Sequence, residues 1–191
     1  MKTTRLEAFS DAVIAIAITI MVLEMKVPHG AELSALRPLL PVLISYGLSF
    51  LYLAIYWNNH HHLLQATERV SGAILWANMH LLFWLSLFPF VTGWLGENRG
   101  GVWPTVMYGL VLLMAALAYF LLERVIVAQH GGGSAVARAI GRDVKGLASL
   151  ALYAVAIALA FVAEWAAQLL FVAVALLWFV PDRRIEAVLR G

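Results

Sequence analysis

The sequence predicts an all-α integral membrane protein, with six transmembrane helices in a single domain over residues 1–191. Two observations carry this expectation. Hydrophobic residues make up 63% of the chain and charged residues only 13%, against the ~25% charge usual in soluble domains. The apolar residues also gather into blocks long enough to cross a hydrocarbon core of ~30 Å, divided by short polar or glycine- and proline-containing breaks. There is no cysteine, so no disulfide framework, thiolate metal site or cysteine nucleophile is available. The basic residues are dispersed and the net charge is only +2, which gives no nucleic-acid footprint.

The first span covers residues 6–25. Lys2 and Arg5 ahead of an apolar core imitate a secretory signal. However, Asp11 interrupts that core, and Leu23-Glu24-Met25-Lys26 offers no small-residue cleavage site, so the span is expected to be retained. At 100° per residue, Ala12, Ile16, Thr19, Ile20 and Leu23 share one side of the helix, with Phe9 and Arg5 below them. Ser10 and Asp11 point away from that side. The smooth face with its single hydroxyl suits a pore wall, and the polar face suits a mounting on neighbouring helices. Periodicity alone favours ordinary packing or lipid contact for Ile16, Ile20 and Leu23. A carboxylate within a span turns towards protein or water, and an unpaired one costs several kcal/mol. Asp11 therefore needs a donor: Ser10, His60 and Asn78 are candidates, with Arg5 as an ion-pair partner.

Pro28, His29 and Gly30 break the first span, and Pro38 opens the second, residues 38–57, with a φ suited to a helix start. This span is expected to end in the run Y-W-N-N-H-H-H, which is too polar for hydrocarbon. His60, His61 and His62 diverge by 100° per step on a helix and cannot chelate one ion together. No second ligand cluster stands at metal spacing, so neither a metal nor a cofactor is expected. His60 is expected to be a buried hydrogen-bonding residue, with His61 and His62 at the interface. The third span, residues 72–95, carries Asn78, His80 and a kinking Pro89. His80 has no partner nameable from the sequence.

A fourth span, residues 102–122, follows the short loop G-E-N-R-G-G. A hydrophilic link containing Gly131-Gly132-Gly133-Ser134 comes next. The almost wholly apolar stretch 146–180 would extend ~52 Å as one helix, too long for the core. Two spans, 146–163 and 166–180, turning at Glu164-Trp165, fit better. Basic residues set the orientation. Ten of them (Lys2, Arg5, Arg69, Arg124, Arg138, Arg142, Lys145, Arg183, Arg184 and Arg190) fall on the N-terminal side, against Lys26, Arg37 and Arg99 opposite. Both termini are therefore expected in the cytoplasm. Trp57, Trp94, Trp103, Trp165 and Trp178 fall near span ends, where interfacial anchors belong.

The motif R-x-x-x-F-S-D, here Arg5, Phe9, Ser10 and Asp11, resembles the signature of the TMEM175-like potassium channels, a bacterial and lysosomal family. The likeness continues with W-x-x-H at Trp57 and His60, and with Asn78 followed by Phe88-Pro89. It covers the first three spans well, while the last three match only as apolar helices. The resemblance implies a bacterial inner-membrane, potassium-selective channel in which the first helices of four copies surround a central pore. With one motif and no internal repeat, it implies a homotetramer whose partners are itself, the lipid bilayer and monovalent cations. It places the pore constriction at Ile16, the selectivity-linked threonine at Thr19, a further aliphatic layer at Leu23, and the structural network on Arg5, Phe9, Ser10, Asp11, Trp57, His60 and Asn78.

The absence of T-V-G-Y-G excludes the usual carbonyl filter. A ring of Ile16 side chains would instead gate by dewetting, and a ring of Thr19 hydroxyls would favour a weakly hydrated cation. Leu23 lies ~10 Å beyond Ile16 along the axis, and Glu24 at the outer mouth would concentrate cations. No hydrolase, zinc-protease, P-loop or dinucleotide motif is present, so no enzyme is expected. The alternatives are a proton-permeable or weakly selective cation channel, and a proton-coupled secondary transporter with Asp11 and His60 as relay. The transporter lacks the duplicated halves it would need.

Overall fold

In the computed structural model, described over residues 3–98, 100–131, 134, 137 and 143–179, the apolar blocks are helices. A helix pairs every backbone polar group within its own segment, which hydrocarbon demands. The elements are α1 (Thr3–Leu23), a 3-10 segment (Leu33–Leu39) leading into α2 (Leu40–Gln65), α3 (Gly72–Ser86), α4 (Phe88–Glu97), α5 (Val102–His130), α6 (Val144–Ala160) and α7 (Glu164–Phe179). Since α3 and α4 are halves of one rod, the described residues form six rods, all helical. The rods Thr3–Leu23, Leu33–Gln65, Gly72–Glu97 and Val102–His130 are long and apolar enough to cross a membrane, and α6 and α7 are shorter apolar helices. Lys2, Arg99, Arg138, Arg142, Arg183, Arg184 and Arg190 from the orientation argument lie outside the described residues, as do Gly132, Gly133 and Val180.

Local chemistry sets the helix ends. Ser71 caps α3 by accepting from the Ile74 N–H at 3.3 Å, and Asp143 caps α6 by accepting from the Gly146 N–H at 2.9 Å. Pro41, Pro89 and Pro104 stand in the first turns of α2, α4 and α5, where a missing N–H leaves no helical bond unmade. Pro38 does not open the second rod's α-helix; it lies inside the 3-10 segment. Nor does α2 stop at the polar run. It continues past Trp57 to Gln65, 26 residues in all, or ~39 Å. A helix keeps its backbone paired whether or not lipid surrounds it, so the polar run does not have to end it. Pro89 breaks the third rod because it has no N–H to offer the preceding turn and crowds its carbonyls. The hairpin between α6 and α7 turns at residues 161–163, just ahead of the expected Glu164-Trp165. Glu164 instead opens α7, where the positive end of the helix dipole favours a carboxylate.

α5 is the hub, packing on α3 and α4 and on α6 and α7. Gly109 permits the close approach: a Cβ there would lie 2.8 Å from both Ile157 and Phe171. A chain of hydroxyls stitches α4, α2 and α5 together. Ser45 donates to the Thr92 carbonyl at 3.2 Å, Thr92 donates to Ser49 at 2.7 Å, and Ser49 shares a 2.9 Å bond with the Tyr108 hydroxyl. Tyr52 ties α2 to α7 by donating to the Phe171 carbonyl at 2.6 Å. α1 packs against α2, α3 and α4.

Candidate pore helix and its polar anchor

α1 has two unlike faces. Leu6, Ser10, Ile14, Ala17 and Met21 are buried, none more than 3% exposed. On the other side Arg5, Phe9, Ala12, Ile16, Thr19, Ile20 and Leu23 are all exposed, Ile16 at 57% and Leu23 at 77%. The stripe expected from the 100° spacing therefore points out of the subunit. Thr19 donates its hydroxyl proton to the Ala15 carbonyl one turn back, at 2.9 Å. The oxygen's lone pairs are left as its outward chemistry.

The buried face is pinned by a directed chain of hydrogen bonds. Ser10 donates to the Leu6 carbonyl at 2.8 Å, and Asn78 Nδ2 donates to Ser10 Oγ at 2.9 Å. With its amide nitrogen so committed, Asn78 turns Oδ1 towards His60 Nε2, 2.6 Å away. That contact requires a proton on Nε2, leaving Nδ1 as the acceptor. Nδ1 has no partner among the described residues. Ser10, Asn78 and His60 are all fully buried. Removing any one of them strands a polar group out of water, at about 1–3 kcal/mol each.

Asp11 belongs to a second cluster. Its donor is Trp57, whose Nε1–H reaches Oδ1 at 3.0 Å, and not Ser10, His60, Asn78 or Arg5. The physical reason is angular: Ser10 and Asp11 lie 100° apart, so Ser10 meets α3 while Asp11 meets α2. His61 stacks on Trp57 with ring centroids 5.8 Å apart, and its Nδ1 lies 2.8 Å from Glu7 Oε1. Gln65 Nε2 sits 2.9 Å from the other His61 nitrogen. Glu7, His61 and Gln65 were not among the expected site residues. Their signal was a matched spacing, Glu7 and Asp11 four apart on one helix facing Trp57, His61 and Gln65 four apart on the next.

The structure thus joins Ser10, Asn78 and His60 in one cluster and Asp11 with Trp57 in another. Arg5 and Phe9 stay on the exposed stripe. Arg5 makes no hydrogen bond or ion pair among the described residues. His80 accepts from Trp84 Nε1 at 3.0 Å, one turn along its own helix. His60 and His61 turn to different partners, and the described residues hold no group of three metal-capable side chains. At the far end of α1, Glu24 lines a cavity between α1, α2 and α4, and Lys26 pairs with Glu97 at 2.8 Å. That hydrogen bond and charge hold the exposed Lys26 ammonium above its ordinary pKa.

The family model described as endosomal/lysosomal potassium channel TMEM175 matches residues 5–89. A protein from Chryseobacterium sp. (strain P1-3) named a potassium channel is 48% identical over 190 residues, all of this chain and 99% of its own length. The crystal structure of a lysosomal potassium-selective channel TMEM175 homolog from Chamaesiphon minutus superposes with a TM-score of 0.80 at 29% identity, covering 93% of this chain and 96% of that one. A Danio rerio protein named endosomal/lysosomal proton channel TMEM175 is 26% identical over 132 residues, 66% of this chain but only 24% of its own length.

Proposed function

The chain belongs to the TMEM175 family, and from that premise we propose that it is a potassium-selective channel of a bacterial inner membrane. In this reading it works as a homotetramer with six spans per subunit and both termini in the cytoplasm, and α1 lines a central pore. The observation that carries the reading is the outward-facing stripe of α1, apolar apart from Thr19 and Arg5, on a helix whose other face is fixed by buried hydrogen bonds. In a tetramer the four stripes meet at the axis. Ile16 forms the narrow layer and Leu23 the next, both closing by dewetting and parting for an ion.

Thr19 is the selectivity element. Its proton is committed to Ala15, so the ring offers oxygen lone pairs to a cation that has lost part of its water. Neutral oxygens repay the dehydration of K⁺ more easily than that of Na⁺. Glu24, next to Leu23 but with its carboxylate over α4, adds negative potential near the outer mouth only through space. Ser10, Asn78 and His60, with Asp11 and Trp57, hold the stripe at the angle that faces the axis, while Arg5 and Phe9 complete it at the cytoplasmic end.

Reversal potentials of the reconstituted protein test the reading. A K⁺ gradient should set the potential at constant pH. The name of the Danio rerio relative favours a second reading, a proton-permeable or weakly selective channel through the same pore. In that case a pH gradient would set the potential. Saturable uptake coupled to a counter-ion would overturn both in favour of a secondary transporter.

A further inference from the structure

At the end of the bundle opposite the N-terminus, α1, α2 and α4 part around a cavity of about 320 Å³. This is the size of a small ligand site. Tyr46 from α2 and Phe90 and Trp94 from α4 line it, the last two with ring centroids 5.9 Å apart. The lining carries two carboxylates, Glu24 and Glu97, and one ammonium, Lys26. Lys26 is committed to Glu97 at 2.8 Å. Glu24 has neither a hydrogen bond nor an ion pair from its side chain among the described residues. Its carboxylate reaches over α4, where a Cβ on Gly93 would lie 3.8 Å from Oε2. The cavity therefore combines aromatic walls, a net charge of −1 and one uncommitted carboxylate.

These features select among occupants. A lipid or detergent chain would leave the Glu24 carboxylate without a counter-charge. A small metal ion would need several oxygen ligands, and beside Glu24 the lining offers only the Tyr46 hydroxyl uncommitted, with Glu97 paired to Lys26 and the Thr92 hydroxyl bonded to Ser49. An organic ammonium uses both parts, because rings attract a cation electrostatically and the carboxylate neutralises it. We propose that this cavity is a binding site for a small organic cation of the quaternary ammonium class, held by Glu24 among Tyr46, Phe90 and Trp94. The site goes beyond the pore reading and does not depend on it, since it lies within one subunit.

The test is calorimetric titration of tetraethylammonium into the purified oligomer in lipid nanodiscs. Saturable binding at one site per chain is expected. Glu24→Gln should weaken it at least tenfold. Gly93→Leu should abolish it by filling the cavity, at a position where an added Cβ meets only the Glu24 carboxylate. Elution of each variant at the wild-type oligomer size establishes that it has folded. No saturable heat with the wild-type protein would overturn the proposal. So would one site per oligomer, which would put the cation on the symmetry axis, and so would unchanged affinity in Glu24→Gln.

Discussion

The two halves of the chain are held together by different physics. From α1 to the start of α5, buried polar groups form connected series: the Leu6 carbonyl, Ser10, Asn78 and His60 in one, and Ser45, Thr92 (through its carbonyl and its hydroxyl), Ser49 and Tyr108 in the other. Among the described residues, α6 and α7 are tied by two short relays, Gln168 to Thr105 at 3.1 Å and on to the Gly101 carbonyl, and Trp178 to Ser149 at 2.8 Å and on to the Lys145 carbonyl. The interior there is small and aromatic: Ala115, Ala118, Ala156, Ala160, Ala167 and Phe171 are fully buried. Packing accepts many sequences of similar volume. A hydrogen-bond series accepts few, because each member must satisfy the next. The family model matches residues 5–89, the stretch where the bonds are directional and the rotation of α1 is set.

The contrast can be broken at its strongest point. Asn78→Leu removes the middle of the series and strands His60 Nε2–H, at about 1–3 kcal/mol, while Ser10 loses an incoming donor but keeps its bond to the Leu6 carbonyl. Loss of most of the assembled oligomer on size-exclusion chromatography is expected. An oligomer of unchanged thermal stability would mean that the series does not hold the bundle. Next in size is Ile16→Asn, which should wet the constriction and raise basal cation flux into liposomes about tenfold or more, the factor for each ~1.4 kcal/mol taken off a barrier. Unaltered flux through a folded oligomer would remove Ile16 from the gate.

Thr19→Val keeps the shape and deletes the oxygen. The K⁺/Na⁺ permeability ratio from bi-ionic reversal potentials should fall several-fold, and an unmoved ratio would place selectivity elsewhere. The smallest effect belongs to the packed half. Leu170→Met, a volume-conserving change on α7, should cost under about 1.5 kcal/mol of stability and leave the permeability ratio where it was. A shifted ratio would show that α7 reaches the pore after all.

The orientation of α1 was legible because one residue in a helix fixes the direction of all the others. With Ser10 and Asp11 inward, Ile16, Thr19 and Leu23 face out. The donor to Asp11 was not legible. Which residue of α2 stands opposite depends on where the two helices cross, and Trp57 and His60 differ by less than one turn. The Glu7–His61 pair is hidden for the same reason, since the run of histidines does not show which ring faces α1. The extra two turns of α2 escaped because polarity marks where lipid ends, and the backbone has no reason to stop there. Pro38 and Pro41 are equally good helix openers, and the choice between them rested on a 3-10 turn that no residue announces.

Among the described residues, the side-chain bonds that tie α1 to other helices all fall within its first two or three turns, at Glu7, Ser10 and Asp11. Beyond them the helix is held by the packing of Ile14, Ala17 and Met21 and, past its end, by the exposed Lys26–Glu97 pair, a weak tether. Mechanically this is a cantilever, clamped at the root and compliant at the tip. Its displacement grows with distance from the clamp, so Leu23 would swing furthest and Phe9 least. An opening motion of this kind would need no rearrangement of the buried bonds, only a splaying of the free ends.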